Sequence, residues 1–422
     1  MSDAVEERET PEIPWIISVD DHVLEPKDVW QRWLPSKYRP EGPRVVRSSY
    51  ALKTAAERGR GGSAKMVDSG PETDFWVYED LVMSINSGFA SAGRPSEEND
   101  DHPVGYDKMR PGFYDMKARL ADMDVNHIER SLCFPTFPRF CGQTFLEAKD
   151  RELALECVRA YNNWMVEEWA GESGGRLVPL CLIPLWDGIE AAAEVRRNAA
   201  RGVRAVAFCE LPSHLGLPSI HDKDHYWEPF FQACEETGTV ICMHIGSSSN
   251  FVRTSDDAPV VVRAALTAVN SQMSLTDWLF SGALARHPGL KIAYSEGQIG
   301  WIPFALERCD TLWDRKTARH QVAAELVEPP SAYFHRQVFG CFFEDDFGLR
   351  ARADVGVDQI TFESDYPHQD TTWPHTEEYA QSSMAELSHE EIVKITRTNA
   401  IKLFGLPETL PGFTPRAVAV PV

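Results

Sequence analysis

The sequence predicts an α/β protein that folds as a (β/α)8 TIM barrel with a long insertion after its first strand. Eight short apolar or β-branched runs alternate with amphipathic helical stretches along the chain, which is the order of a parallel sheet covered by helices. The runs are apolar at successive positions, as in strands buried on both faces. An open doubly wound sheet is the alternative, but it usually carries a glycine-rich phosphate turn after an early strand, and the sequence has none.

The individual elements follow from local patterns in the sequence. Strands are expected at residues 15–20, 131–135, 176–183, 204–209, 239–245, 291–296, 338–343 and 359–364. Helices are expected at residues 115–127, 147–170, 187–201, 224–237, 260–286, 300–318, 345–355 and 388–403. The helix at 147–170 places Leu153, Cys157 and Tyr161 on one face, which is helical spacing. Gly238 follows another predicted helix, at the position where glycine commonly ends one.

The segments outside this alternation are expected to be less regular. Residues 1–14 are polar and are predicted to form a flexible arm, and residues 15–405 form the barrel domain. The insertion at residues 31–112 shows no clear period. Long segments of this kind are typical of functional lids, and disorder is the competing explanation. Residues 406–422 form a proline-rich tail that either wraps a neighbouring subunit or frays.

Composition excludes several classes of partner. The net charge of −22 argues against nucleic acid and against anionic membranes, because both require a basic surface. No run approaches the roughly 18 apolar residues of a spanning helix, and the first ten residues do not resemble a signal peptide. The nine cysteines are dispersed and lack CxxC spacing, which fits a reducing compartment. We therefore predict a cytoplasmic protein that acts on a small molecule.

Acidic and histidine side chains terminate several of the predicted strands. Asp20 and His22 are two residues apart at the end of the first strand, so they point to the same side. His244 ends the fifth strand, Glu296 the sixth and Asp365 the eighth. The strand ends of a barrel meet at one rim, where active sites of this fold lie. Imidazole nitrogens together with carboxylate oxygens suit Zn²⁺, Mn²⁺ or Fe²⁺.

Each of these residues also has a structural explanation when it is considered alone. His244 could be a packed histidine, Asp365 a helix cap and Glu296 the partner of an arginine. Their coincidence at the ends of separate strands favours a metal site. Asp21 points to the opposite side from Asp20 and His22 and is expected to be structural. Histidines in polar turns or helices, such as His287, are expected to lie on the surface.

Six segments follow one another in the order found in a known family. They are Asp20 to Pro26, Arg119 to Asp124, Met243-His244, His287 to Ile292 leading into Glu296, Ser364 to His368, and Asn399-Ala400 with Leu403-Phe404. In these segments the sequence resembles the amidohydrolase superfamily, specifically its amidohydrolase-2 branch. That branch contains aminocarboxymuconate-semialdehyde decarboxylase and the dihydroxybenzoate, γ-resorcylate and 5-carboxyvanillate decarboxylases.

The resemblance implies one divalent metal ion bound by Asp20, His22, His244 and Asp365. Zinc is the first expectation, with manganese or iron as alternatives. Two departures matter: the first motif reads Asp-x-His instead of His-x-His, and Glu296 replaces a histidine that helps catalysis in many members. The second departure leaves the identity of the proton-transfer group open. No lysine ends the fourth strand, where binuclear relatives carry one, so a single metal is expected.

The predicted activity is metal-dependent hydrolysis of a small aromatic or carboxylated substrate through an activated water, with Asp365, Glu296 and His244 as catalytic residues. Non-oxidative decarboxylation of an aromatic or muconate-type acid is the alternative, and a non-catalytic binding barrel is a minor one. A last set of residues is assigned to the surroundings of the metal or to the substrate pocket: Glu25, Trp76, His368 and Trp301. Glu25 is left with three possible roles, as a ligand, as support for a ligand, or in contact with solvent. A homodimer or homotetramer is expected.

Overall fold

The computed structural model describes residues 10–54, 57, 61–95, 100–315 and 321–414. Its strands are β1 (Ile16–Val23), β2 (Arg44–Leu52), β3 (Ala64–Met66), β4 (Glu72–Tyr78), β5 (Leu81–Ser84), β6 (Ile128–Pro135), β7 (Leu177–Val178), β8 (Leu180–Cys181), β9 (Ala205–Phe208), β10 (Val240–His244), β11 (Ile292–Ser295), β12 (Val338–Phe342) and β13 (Ile360–Phe362). The strands β1 and β6 to β13 form one parallel sheet, and β2 to β5 form a separate antiparallel sheet.

The parallel sheet closes into a barrel of eight strands. Its hydrogen-bonded order is β7-β6-β1-β13-β12-β11-β10-β9-β8. The two end strands, β7 and β8, are separated only by Pro179, which has no N–H for a strand ladder. They are therefore halves of one extended segment that pairs with β6 on one side and with β9 on the other. This closure confirms the predicted (β/α)8 barrel.

Helices surround the barrel at nearly all of the predicted positions. They are α1 (Val29–Trp33), α2 (Met116–Val125), α3 (Gln143–Leu146), α4 (Arg151–Trp164), α5 (Gly188–Ala199), α6 (Glu228–Thr237), α7 (Val260–Ala265), α8 (Ala268–Phe280), α9 (Ala283–Arg286), α10 (Ile302–Trp313), α11 (Pro330–Gln337), α12 (Asp346–Arg350), α13 (Arg352–Val355), α14 (Thr376–Ser383), α15 (His389–Val393) and α16 (Asn399–Phe404). Aspartate side chains cap the N-termini of α2, α4 and α5 by accepting backbone N–H groups, which offsets the unpaired donors of the first turn.

Four predicted helices are divided in the structure. The helix expected at 345–355 is α12 and α13, and the helix expected at 388–403 is α15 and α16 with a π-helical turn at Lys394–Thr398 between them. The helix expected at 147–170 consists of α4 followed by a π-helical turn at Met165–Trp169. The helix expected at 260–286 is three helices, because Gly282 adopts a left-handed φ of 78° between α8 and α9 and the chain also breaks between α7 and α8. Within the described residues, no helix is long and apolar enough to cross a membrane.

The insertion contains a four-stranded antiparallel sheet that the sequence did not predict. Its strand order is β3-β2-β4-β5. The residues of β2 are all exposed or half-buried, so this strand lacks the alternation that marks one buried face. The sheet is attached to the barrel through Trp76, whose ring lies 5.2 Å from that of Trp30 and 4.8 Å from that of Phe137. The insertion is therefore a packed layer over the described part of its length.

The described ends of the chain pack against the barrel. Ile13 is buried, and its carbonyl oxygen lies 3.1 Å from Nε2 of His127. Phe413 contacts Trp15 edge-on, with ring centroids 5.0 Å apart. The predicted flexible arm at 1–14 and tail at 406–422 are thus described only in part, and residues 1–9 and 415–422 lie outside the described residues.

Candidate metal centre

Five of the predicted site residues lie at the carboxyl ends of the barrel strands. Asp20 and His22 belong to β1, and His244 is the last residue of β10. Glu296 directly follows β11, and Asp365 lies three residues after β13. Asp20, His22, His244 and Asp365 are almost completely buried. The barrel thus brings together residues that are up to 345 positions apart in the chain.

Donor atoms of Asp20, His22 and His244 lie within 4.8 Å of one another, and His22 belongs to a second such group with Asp365 and His368. Nε2 of His22 lies 3.2 Å from Oδ1 of Asp365 and 3.6 Å from Oδ1 of Asp20. Nε2 of His244 lies 3.4 Å from Oδ2 of Asp20 and 3.1 Å from Nε2 of His22. Ligands bound tetrahedrally at about 2.1 Å from a metal ion are about 3.4 Å apart. The spacings among Asp20, His22 and His244 therefore fit three ligands of one metal ion, and Asp365 adjoins them through His22.

The hydrogen bonding of these residues fits a metal as well. Neither oxygen of Asp20 or of Asp365 accepts a hydrogen bond of good geometry within the described part of the chain. Buried, unpaired carboxylates are costly unless a cation compensates them. The Nδ1 atom of His244 lies 2.6 Å from the carbonyl oxygen of Ile245 and donates to it. This bond places the proton on Nδ1 and leaves the lone pair of Nε2 for a metal.

Burial shifts the protonation of the cluster in opposite directions for acids and imidazoles. Burial, followed by the negative charges of Glu363 and Asp365, raises the pKa of Asp20 well above its usual value. Burial also lowers the pKa of His244 to about 3, and that of His22 well below its usual value. The imidazoles are thus neutral, which is their ligating form. A bound divalent cation would favour the ionised carboxylates.

Glu296 stands at the edge of this donor set. Its Oε2 atom lies 3.2 Å from Nε2 of His244, and its side chain keeps 17% of its surface exposed, whereas the four residues described above keep at most 1%. Its backbone adopts a left-handed φ of 56°. Burial, together with the charges of Asp365 and Glu363, raises its pKa well above the usual value for glutamate. A carboxyl group with a raised pKa beside a metal position is suited to proton transfer.

His368 also lies in the cluster, as predicted for the metal surroundings. Its Nδ1 atom is 3.0 Å from Oδ1 of Asp365. Its ring stacks on that of His22, with centroids 3.6 Å apart. The ring of Phe89, from the insertion, lies 5.2 Å from that of His368. The insertion is held there by backbone hydrogen bonds from the N–H groups of Ser91 and Ala92 to the carbonyl oxygen of Pro367, 2.9 and 3.1 Å long.

The other three residues predicted for the surroundings contact residues outside the donor set. Glu25 does not contact solvent: it accepts the N–H groups of Thr136 and Phe137 at 3.0 and 2.9 Å, which holds the loop after β6. Trp76 is buried in the interface between the insertion and the barrel. Trp301 donates from Nε1 to the carbonyl oxygen of Gly297 at 2.7 Å. Local side-chain and backbone contacts thus account for these three residues.

The side chains of Asp21 and Arg119 hold the backbone around the first-strand ligands in place. The Asp21 carboxylate accepts Ser364 Oγ at 2.7 Å and the Tyr366 N–H at 3.0 Å, so this residue is structural, in agreement with the prediction. Arg119 is buried and donates to the carbonyl oxygens of His22 and Gly112. The first and eighth strand ends are therefore tied together behind the donor set.

Sequence reasoning missed several residues of the site. Glu363 is fully buried, and it forms a possible metal-binding triad with Asp20 and Cys341. It lies two residues before Asp365, the same spacing as Asp20 and His22, so the rule used for the first strand could have found it. The Phe140 ring stacks on His244 with centroids 4.0 Å apart. No sequence signal separates such a phenylalanine from one that packs in the core.

Glu210, which the sequence places at the end of the fourth strand without a role, follows β9. Its carboxylate is buried and accepts the Gly246 N–H at 3.1 Å and the Ser271 hydroxyl at 2.8 Å. Burial raises its pKa to about 8. It supports the loop that follows His244. His287, which was expected on the surface, is also buried. Its Nδ1 atom lies 2.9 Å from Glu235, and its Nε2 atom lies 2.9 Å from Glu228.

A sequence model of the amidohydrolase family matches residues 73–406. This chain belongs to the amidohydrolase-2 family. As a member of that family the protein is an enzyme, as the sequence predicted. The matched segment contains His244, Glu296 and Asp365 but begins after Asp20 and His22, which the folded barrel brings to the same place. No curated protein matches the sequence.

Several solved structures share the fold of this amidohydrolase. An amidohydrolase from Mycobacterium avium subsp. paratuberculosis K-10 has 22% identity and a TM-score of 0.63, over 93% of this chain and 99% of that one. A dihydroxybenzoic acid decarboxylase from Polaromonas sp. JS666, with bound manganese and the inhibitor 2-nitroresorcinol, has 16% identity and a TM-score of 0.58, over 93% and 98%. The 5-carboxyvanillate decarboxylase of Sphingomonas paucimobilis has 21% identity and a TM-score of 0.54, over 70% and 84%.

Proposed function

We propose that this amidohydrolase is a metal-dependent hydrolase that acts on a small aromatic or carboxylated substrate. One divalent ion would be held by Asp20, His22, His244 and Asp365. The observation that carries this proposal is the position of Glu296, whose Oε2 lies 3.2 Å from Nε2 of His244 at the partly exposed edge of the donor set. A carboxylate in this position can accept a proton from a water molecule that attacks the substrate.

The side chains divide the chemical work among them. A bound divalent ion polarises a substrate oxygen and lowers the pKa of an adjacent water. Glu296 then takes the water proton at Oε2 and returns it to the leaving group. Asp365, which the sequence also assigns to catalysis, would share that proton, and His244 stays neutral because its Nδ1–H is bonded to Ile245. The raised pKa of Glu296 suits a base that must release its proton again.

The identity of the ion belongs to the proposal too. Two imidazole nitrogens with two carboxylates are compatible with zinc, manganese or iron(II). Manganese occupies the solved dihydroxybenzoic acid decarboxylase of Polaromonas that shares this fold. We keep zinc as the first expectation from the sequence and treat manganese and iron as its alternatives.

Decarboxylation is the second candidate, and the aromatic side chains of the site favour it. Phe140 stacks on His244, and Phe89 lies 5.2 Å from His368, so two phenyl rings adjoin the donor set. Phenyl rings can stack against a planar aromatic acid. In this chemistry protonated Glu296 would donate its proton to the ring carbon as the bond to the carboxylate carbon breaks and carbon dioxide leaves.

Incubation with two substrate panels separates the two reactions. The metal-loaded enzyme is given aryl amides, esters and lactones in one panel and hydroxybenzoic acids in the other. Acid release without carbon dioxide supports the hydrolase, whereas stoichiometric carbon dioxide from a hydroxybenzoic acid supports the decarboxylase. The non-catalytic barrel predicts neither product and no stoichiometric metal by elemental analysis of the purified protein.

The assembly and the compartment are proposed from the sequence. We propose a homodimer or homotetramer, which light scattering coupled to gel filtration tests directly; a monomer at micromolar concentration would refute it. We also propose the cytoplasm as the site of action. All nine cysteines are buried and free, which supports a reducing environment.

A further inference from the structure

The buried carboxylate of Glu363 links the barrel strands beneath the donor set. Glu363 directly follows β13 and has no exposed surface. Its Oε2 atom accepts the backbone N–H of Glu296 at 3.0 Å, and it also accepts the thiol of Cys341 on β12. One carboxylate oxygen therefore joins the ends of the sixth, seventh and eighth barrel strands.

The bond to Glu296 acts at a strained position in the backbone. Glu296 has a φ of 56°, in the left-handed region that residues with a side chain seldom adopt. Such a conformation persists only where surrounding contacts impose it. The hydrogen bond from its N–H to Glu363 is a contact of this kind, because it fixes the peptide plane that precedes the Glu296 side chain.

The conformation of Glu296 decides where its carboxylate lies. Its Oε2 atom is 3.2 Å from Nε2 of His244, and its side chain is partly exposed. If the Glu296 N–H lost its acceptor, the residue could relax towards the ordinary φ below zero and carry the carboxylate away from His244. The donor set formed by His22, Asp20 and Asp365 would keep its own contacts.

We propose that Glu363 is a positioning residue for Glu296, holding its backbone so that the carboxylate stays beside the metal position. This inference rests on the proposed role of Glu296 as the proton-transfer group. Glu363 could instead be a metal ligand, since one oxygen of Glu363, one of Asp20 and the sulfur of Cys341 lie within 4.8 Å of one another. Its Oε2 atom is already occupied by two donors, whereas its Oε1 atom has no hydrogen-bond partner among the described residues, so a metal would have to bind Oε1.

Three variants separate these roles. Glu363→Leu removes the acceptor and leaves the Glu296 N–H unpaired in a buried place. Glu363→Gln keeps a carbonyl oxygen for that N–H, and its amide group can donate to the unpaired oxygens of Asp20. Thr361→Val is the matched control, because Thr361 is buried on β13 and its hydroxyl donates to the Gly340 carbonyl oxygen on the neighbouring strand.

The test compares metal affinity, cobalt spectra and turnover among these variants. Mn²⁺ affinity is measured by chelator competition, and the visible absorption of the Co²⁺-loaded protein reports the surroundings of the ion. We expect Glu363→Leu to bind Mn²⁺ within threefold of the wild type but to lose at least 20-fold in kcat, with KM within threefold. Its Co²⁺ spectrum should change in the same way as that of Glu296→Gln. Glu363→Gln and Thr361→Val should stay within threefold throughout.

Two results would overturn the positioning role. One is a Glu363→Leu variant with wild-type kcat and an unchanged Co²⁺ spectrum. The other is a loss of Mn²⁺ affinity of more than tenfold in Glu363→Leu, which would make the residue a ligand. If Glu363→Leu does not fold, Glu363→Asp replaces it: the shortened carboxylate should reproduce the spectral change, and an unchanged spectrum refutes the role. Wild-type protein that binds no divalent metal would instead refute the proposed function itself.

Discussion

Oδ1 of Asp21 accepts the backbone N–H of Tyr366 at 3.0 Å, which ties the first barrel strand to the loop that carries Asp365. The same carboxylate accepts the hydroxyls of Ser18, Ser131 and Ser364. Four donors therefore surround one buried acceptor. Backbone bonds from the Asp365 N–H to the Asp20 carbonyl oxygen and from the His22 N–H to the Tyr366 carbonyl oxygen join the same two segments, so Asp21 reinforces the approach of the first and eighth strand ends.

Replacing Asp21 with asparagine should destabilise the protein and weaken its metal site. The amide group would face a hydroxyl or N–H donor, so at least one buried donor loses its partner, at a cost of about 1–3 kcal/mol. Urea unfolding of Asp21→Asn measures this loss. Asp358→Asn is the control, because Asp358 is exposed and pairs with Lys394 at the surface. A free energy of unfolding within about 0.5 kcal/mol of the wild type would contradict the structural role of Asp21.

Removal of the metal should lower the thermal stability of the wild type. A ligand present at a thousand times its dissociation constant stabilises the folded state by about 4 kcal/mol. Chelation should therefore reduce the Tm by several degrees, and added Zn²⁺ or Mn²⁺ should restore it. His22→Asn should show little response to either treatment. His375→Asn, at an exposed histidine, should respond as the wild type does; an equal response of His22→Asn would argue against its ligation.

The carboxyl group of Glu210 should make stability fall as pH rises. Burial raises its pKa from about 4.5 in the unfolded chain to about 8 in the folded protein. Between these values the folded state holds a proton that the unfolded state has released. Glu210 therefore contributes stability below pH 4.5 that is lost towards pH 8, at roughly 1 kcal/mol per pH unit.

Glutamine at position 210 should remove this pH dependence, since its amide can donate to Ser271 while its oxygen accepts the Gly246 N–H. The measurement is the free energy of unfolding of Glu210→Gln and of the wild type from pH 5 to 8, with saturating metal. The difference between the two curves should change by about 3 kcal/mol over this range. Glu390→Gln, at an exposed glutamate, should run parallel to the wild type. Parallel curves for Glu210→Gln would show that the residue is ionised in the folded state.

The ring of Phe140 should contribute to substrate binding. It stacks on His244 with centroids 4.0 Å apart and is only half-buried. Loss of a stacking partner is worth about 0.5–1.5 kcal/mol, so Phe140→Ala should raise KM for an aromatic substrate by roughly three- to tenfold. Phe347→Ala, at an exposed phenylalanine, is the control. An unchanged KM, or an equal rise for an aliphatic substrate, would contradict the stacking role.

The positions of the main elements could be predicted because their patterns are local. Each apolar run became a barrel strand, and Asp20 and His22 point together because neighbouring residues of a strand alternate. The insertion was harder, since β2 has no strongly buried face and therefore no alternation. Trp76 was assigned to the rim but packs between the insertion and the barrel, a contact that only the relative placement of two layers decides.

The sequence by itself determined the order of strands and helices, the closed barrel and the residues at the strand ends, because each depends on local periodicity and on one rule of topology. Only the tertiary structure decided which of those residues meet. Glu25 holds the loop after β6, whereas Glu296 and Glu363 reach the donor set. The physical reason is that a carboxylate takes its role from the donors and cations around it, and residues distant in the chain supply these.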